Sequence, residues 1–442
     1  QNKTGLNVGN GDGNNEIVFG SYDGKLYILS TNGNQELAYS QSGFIIGAPA
    51  LGDFDGDTDL EIVFTTQSGT SGKLYAIHHT GENMDGFPID LDEKMVVGPA
   101  LGDLEGDGLL DIVVTTYEDN IYAINSDGSI KSGFPYVASH RFKSPATLVD
   151  LDGDNDLEIV AGNDDGNLYI LHHDGTVMTT YDVGNDIRGG ISVADINDDG
   201  SNELLFVGYD DKIHIWNPTT ESELDGWPYD MGTNALSCPL TADLDNDGDL
   251  EIVTAMKSGT IYIFHHDGSF FNNFPYTVAG NIETTPAIGK LDDDNDFEIV
   301  FGTTSGLQVI DIKSPSGERS SWKLHRGNMM RTGLYNVTLT SVQPKDQIVP
   351  DKFFVSQNYP NPFNPSTTIE IQLAETNNLI VSIFDVTGRL INTLINNKLE
   401  AGLYSVEWYG KDQNGRLLPT GVYIMKVVSG KNSHNQKIAF VK

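Results

Sequence analysis

The sequence predicts an all-β protein, a seven-bladed β-propeller followed by a small β-sandwich. Three observations carry that prediction. An acidic loop recurs seven times at near-constant spacing, alternating aromatic segments follow the copies, and the charge changes sign near residue 350. The 48 glycines and 18 tyrosines among 442 residues suit short strands and tight turns, and 38% hydrophobic with 20% charged content is that of a folded chain.

The repeat reads in order as "NGDGNNEIVF" (10–19), "DFDGDTDLEIVF" (53–64), "DLEGDGLLDIVV" (103–114), "DLDGDNDLEIVA" (150–161), "DINDDGSNELLF" (195–206), "DLDNDGDLEIVT" (243–254) and "LDDDNDFEIVF" (291–301). The acids that close these loops, Glu16, Glu61, Asp111, Glu158, Glu203, Glu251 and Glu298, stand 45 to 50 residues apart, which marks a repeat architecture. A short segment such as "GAPALGD" precedes each loop, and an apolar strand such as Glu61–Thr65 follows it. Next come a Gly/Asp/Ser turn and an alternating strand such as "KLYAIHH" or "TIYIFHH". A "GFP"-like turn ends the unit. Four short strands without helical periodicity, seven times over, predict the propeller. The start at Gln1 reads as a mature or trimmed end, and too little chain precedes the first loop for a long leading strand. The segment "SSWKLHRGNMMRTGLY" (320–335) is the expected closing piece of the first blade.

The acids are placed as a hard cation requires. In the second loop Asp53, Asp55, Asp57 and Glu61 occupy positions 1, 3, 5 and 9, with Asp59 at position 7 able to add its carbonyl. Odd positions of a curled loop converge, and calcium takes six to eight oxygens. Position 6 must turn the chain with positive φ, and six of the seven residues there are Gly or Asn. The same ligand positions recur as Asp103, Glu105, Asp107 and Asp111; Asp150, Asp152, Asp154, Asp156 and Glu158; Asp195, Asn197, Asp199 and Glu203; and Asp243, Asp245, Asp247, Asp249 and Glu251. In the seventh loop Asp292, Asp294, Asp296 and Glu298 remain, with Lys290 at position 1, where its ammonium is expected to replace part of the ion's charge. Val8 at position 1 of the first loop predicts weak or absent metal there. Five to seven calcium ions are expected, and Ca²⁺ rather than Mg²⁺ because so dense a ligand set leaves little room for retained water. An EF-hand would need flanking helices, which Pro49 and the β-type "EIVF" exclude.

These loops resemble the FG-GAP/VCBS class of propeller repeats found in integrin α-chains, whose "D-x-(D/N)-x-D-G-x-x-(D/E)" loops bind calcium. The likeness spans roughly residues 5–335 and implies a calcium-stabilised propeller for residues 1–337.

A linker over 338–352 leads to a different texture. Residues 350–442 carry a net +2, whereas the remainder nets −39. Alternating strands in "NPSTTIEIQL", "LIVSIFDVTGR", "GLYSVEW" and "LPTGVYIMKV" predict an antiparallel β-sandwich over 353–442, with Ile369, Ile371, Leu373, Val381 and Ile383 in its core. The pattern resembles the C-terminal sorting domain of type IX secretion cargo, and an Ig-like domain of the flagellar hook cap shares its "DxxGRxLPxGxY" element. The sorting likeness implies an Ig-like sandwich recognised by outer-membrane secretion machinery, and a secreted protein on the surface of a gram-negative cell.

The remaining signals weigh toward structure. Cys238 alone permits no internal disulfide and reads as a buried apolar residue. The pairs His78–His79, His172–His173 and His265–His266 read as packing residues, since neighbours on a strand face opposite ways. Phe87, Phe134, Trp227 and Phe274 read as packing between blades. No nucleophile elbow or zinc signature occurs, and no apolar run is long enough to span a bilayer. So acidic a surface argues against nucleic acid. One cluster stands out: Lys94, Arg141, Lys143 and Arg188 sit on connections opposite the acidic loops, and predict a site for an acidic glycan or a protein partner's carboxylate. The function expected is a binding, adhesion or scaffold module. A polysaccharide lyase or hydrolase on a calcium propeller, and a purely structural subunit of an extracellular assembly, are the alternatives.

Overall fold

A computed structural model describes residues 16–55, 59–233, 235, 237–292, 294–317 and 319–335, and then 353–355, 363, 367–373, 377–399, 402–408, 410–411, 416 and 418–441. The chain divides into two compact units, residues 1–336 and 337–442. Every regular element among the described residues is a β-strand.

The first unit holds seven antiparallel sheets among its described residues, each a meander of successive strands. The second is representative: Ala50–Gly52, Glu61–Thr65, Lys73–Ile77 and Ile89–Asp90 pair in chain order. The sequence explains the order. Segments like "EIVFT" are buried on both faces, because sheets stack against them from either side. Strands like "KLYAI" place Leu74 and Ala76 in one inter-sheet core and Tyr75 and Ile77 in the next. The "GFP" turns lock neighbours together. Gly86, Gly133 and Gly226 have φ near +90°, and a Cβ at each would fall 2.1, 2.0 and 2.6 Å from the carbonyl oxygens of Asp127, Asp174 and Asp267 in the following sheet. Phe87 and Trp227 are buried there, and Trp227 Nε1 donates to the His266 carbonyl. Packing between sheets is thus their role, as the sequence suggested.

The segment 319–335 does not complete the first sheet. Ser320–Trp322 pairs with Leu240–Ala242, the first strand of the sixth sheet. Beyond it, the carbonyls of Lys323, Met330, Thr332 and Gly333 accept from Ile288, Leu51, Leu101 and Leu148 N. Those donors lie on the first strands of the seventh, second, third and fourth sheets. The first strands therefore turn their free edges toward this one segment, which occupies the space between them. Arg326 is only 3% exposed. Its Nε donates to the Arg331 carbonyl, and its Nη2 donates to Pro99 O at 2.5 Å and toward Thr332 O at 3.4 Å. Burial together with Arg326 and Arg331 pushes His325 down to about 3, so it stays neutral. Cys238 is buried against the same core, and burial pushes its thiol up to about 12.

The second unit is a two-sheet sandwich. Phe354–Val355, Thr367–Leu373 and Gly402–Trp408 form one sheet, and Leu390–Leu399, Asn377–Asp385, Gly421–Ser429 and Asn432–Phe440 the other. Ile369, Ile371, Leu373, Val381 and Ile383 are all in its core, as alternation predicted.

Candidate functional site

In the second to seventh sheets the acidic loop joins the first strand to the second. The closing acid opens the second strand and is nearly inaccessible: Glu61 is 1% exposed, and Glu158, Glu203 and Glu251 are 0%. One of its oxygens pins the loop by accepting from the backbone N–H at position 2. The donors are Phe54 at 3.0 Å, Leu104 at 3.1, Leu151 at 2.8, Ile196 at 3.0, Leu244 at 2.7 and Leu291 at 2.5. The opening acid does the same for the turn, as Asp103 accepts from Asp107 and Gly108 N at 3.0 and 2.8 Å. The left-handed residue expected at position 6 is found at Gly108, Asn155, Gly200 and Gly248. Asn295 departs from it, its carbonyl being engaged by Ser316 N and Oγ. Position 4 is left-handed as well, at Gly106, Gly153, Asp198 and Asn246, which the charge pattern did not reveal.

What the second oxygen of the closing acid meets differs between loops. In the second, fourth and sixth it lies 3.1, 3.2 and 3.1 Å from Nδ1 of His78, His172 and His265. The following histidines, His79, His173 and His266, pair with the position-7 acids Asp59, Asp156 and Asp249 at 3.6, 3.1 and 3.2 Å. This corrects the reading of the histidine pairs as packing residues. They stand just past the strand end, in the turn, so strand alternation does not separate them and both reach one loop. The signal was present in sequence, for a histidine pair occurs only where position 7 of the loop is Asp following Thr, Asn or Gly and the loop holds five acids.

Ligand atoms converge in four of the loops. Asp55, Glu61 and His78; Asp152, Glu158 and His172; Asp245, Asp247, Glu251 and His265; and Asp292, Asp294, Asp296 and Glu298 each bring their ligand atoms within 4.8 Å of one another, as do Asp150, Asp152 and Asp154. Asp57 lies outside the described residues, as does position 1 of the first loop. The donor set fits a divalent cation on independent grounds. Asp245 Oδ1, Asp296 Oδ1 and Glu298 Oε1 are buried without a hydrogen-bond donor, which a carboxylate oxygen does not tolerate alone. Burial, with Asp245, Asp247 and Asp243 close by, pushes Glu251 up to about 8, and burial likewise raises Glu61 and Glu158. At neutral pH Glu251 therefore calls for a cation or a proton beside it.

The other two described loops do not gather. In the third, Lys131 is 10% exposed and its ammonium bridges Glu105 and Asp111, at 2.9 Å from the latter. Burial works against that charge, but the two acids outweigh it and raise the lysine above its ordinary pKa. In the fifth, Asn217 Nδ2 donates to Glu203 at 2.8 Å, Asn197 Nδ2 donates to Asp199 at 2.9 Å, and Arg319 pairs with Asp198 at 3.3 Å. In these two loops protein cations and amides take up the oxygens that converge on one another elsewhere. Lys290 is a further correction. Its ammonium stands 5.4 Å from the Phe297 ring, and it is Lys313 that pairs with Asp294, Asp296 and Asp311.

On the opposite face the four cations singled out by sequence do come together. Hairpins and inter-sheet connections are stitched by backbone bonds, Tyr117 N to Lys94 O and Asp164 N to Arg141 O among them. Asp164, 4% exposed, accepts from Arg141 Nε at 2.5 Å and Arg188 Nε and Nη2 at 2.6 and 3.0 Å, and pairs with Lys143 at 3.1 Å. Burial works to raise its carboxyl, yet these cations hold it below the usual range. Lys94 Nζ, Arg141 Cζ and Lys143 Nζ lie 4.0, 4.8 and 5.3 Å from the Tyr117 ring centre. Lys94, Tyr117, Arg141, Asp164 and Arg188 line an open cavity of about 720 Å³. Asp164 and Tyr117, which organise it, were not legible as site residues, being ordinary turn residues in sequence.

Residues 361–433 match the FlgD Ig-like domain family. No curated protein matches the sequence. Among solved structures the chain is similar to Sqt1 of Saccharomyces cerevisiae, at a TM-score of 0.53 and 13% identity over 67% of this chain and 81% of that one. The Dos1 propeller is similar at 0.49 and 13% over 69% and 76%, and BBS1N in complex with ARL6DN at 0.47 and 15% over 68% and 88%. The architecture is that of a β-propeller with a C-terminal FlgD Ig-like domain.

Proposed function

We propose that this chain is a secreted, cell-surface binding or scaffold module whose propeller is stapled by calcium and whose C-terminal domain addresses it to outer-membrane secretion machinery. One observation carries the calcium reading: acids of the second, fourth, sixth and seventh loops converge, and three buried carboxylate oxygens among them have no donor. Bound there, Ca²⁺ supplies the positive charge that lets clustered acids stay ionised. The backbone N–H groups at position 2 and the histidines hold the closing carboxylates in place for it. The FG-GAP/VCBS-like loops support this reading, and the sorting-type motifs within the Ig-like domain support export. The single buried cysteine agrees with both, because external stability then falls to metal rather than disulfides.

Melting the protein in excess EDTA and in millimolar calcium tests the reading. A large upward shift with calcium is expected, with about four ions bound per chain by equilibrium dialysis. Superimposable melting curves would contradict it.

A further inference from the structure

We infer that the cavity opposite the acidic loops binds the uronate sugars of an acidic glycan, a proposal that rests on the binding-module reading and gives it a site. Three facts support it. Lys94, Arg141 and Arg188 line it, with Lys143 beside them on Asp164, in a propeller that is otherwise strongly acidic. Two of the four keep donors to spare. Lys94 has no carboxylate within reach among the described residues and rests on Tyr117 at 4.0 Å, while Arg141 spends Nε on Asp164 and is 42% exposed, its two Nη groups unengaged. Both are held over the same ring, so one planar carboxylate can meet the guanidinium fork with the ammonium beside it.

Asp164 sets this geometry without cancelling it. One nearly inaccessible carboxylate faces Arg141, Lys143 and Arg188 and fixes their heads; Asp186 then takes up Arg188, which leaves Lys94 and the Arg141 Nη groups to meet a ligand. The rest of the lining selects the ligand class. Glu118 and Asp119 would repel an acidic peptide, which offers them further carboxylates and no hydroxyl donor. A uronate sugar brings one carboxylate among several hydroxyls, and Glu118, Asp119, Ser139 and Thr70 are acceptors for those hydroxyls. The cavity, at about 720 Å³, is within the range of ligand sites and has room for more than one sugar unit.

The test is titration calorimetry of the calcium-loaded full chain with oligogalacturonate, a sulfated oligosaccharide and a neutral oligosaccharide of equal length. Oligogalacturonate is expected to bind most tightly, and less tightly as salt is raised. Lys94→Gln with Arg141→Gln should weaken it at least tenfold at unchanged melting temperature. Arg141→Lys, which keeps the charge but loses the fork, should weaken it less than Arg141→Gln. Binding unaltered in the double variant, as bridging through calcium on the other face would give, overturns the site. Preference for the sulfated or neutral ligand, or no binding by the parent protein, overturns the ligand class. The calcium reading fails separately, on the melting curves.

Discussion

The closing acids are the most perturbed carboxylates of the loops, buried at the start of the second strands. Burial pushes Glu251 up to about 8 and Glu203 up to about 7, against 4.5 for an ordinary glutamate. A group whose pKa is higher folded than unfolded stabilises the fold fully below the unfolded value, and loses that contribution as pH rises through the folded value. For the chelated protein the window therefore runs from about 4.5 to about 8, and its melting temperature should be higher at pH 6 than at pH 8.5. Saturating calcium should reverse the order, since protons at pH 6 compete with the ion. Scanning fluorimetry at both pH values, with and without chelator, reads the crossing. These acids were legible because the repeat marks them. The residues that answer them were not, for Lys131 and Asn217 lie on other strands and turns, and sequence spacing does not say which way a turn aims a long side chain.

Loops and strands differ in how self-contained they are. The third loop is closed by Lys131, a cation from its own sheet, whereas the acids of the second and fourth converge on one another without a lysine. Lys131→Gln removes the charge and leaves two facing carboxylates. It should lower the melting temperature in EDTA, recover in calcium, and raise the ion count by one, as metal analysis of dialysed protein would show. The axial segment is the opposite case, an element whose role depends wholly on distant partners. Its carbonyls serve the first strands of four sheets, so the sequence offers only an unremarkable stretch with Trp, Arg and Gly, and placing it at the first blade followed propeller convention rather than any residue. Arg326→Met should leave the carbonyls of Pro99 and Arg331 short of a donor, at roughly 1–3 kcal/mol each when buried. Thermal unfolding should shift downward by several degrees without change in calcium stoichiometry. By contrast, the strands following each acidic loop were legible almost to the residue, because "EIV" runs bounded by turns leave little choice of register.

The whole molecule divides its charge between two units of different character. Two like charges 4.8 Å apart repel by roughly 3 kcal/mol at an effective dielectric constant of about 20. Several such pairs in each of four loops would oppose the close packing of the sheets unless cations stand between them. The fold meets that demand in two ways, with protein cations at the third and fifth loops and with converging oxygens at the second, fourth, sixth and seventh. Only the second leaves room for an ion. The difference is what distinguishes a metal-stapled ring from a ring that merely carries acidic turns. Long-wavelength anomalous diffraction from crystals grown in calcium measures it loop by loop. Strong peaks are expected among the acids of the second, fourth, sixth and seventh loops and none beside Lys131. A map without peaks at those four loops, or with one between Glu105 and Asp111, would contradict the metal-stapled ring.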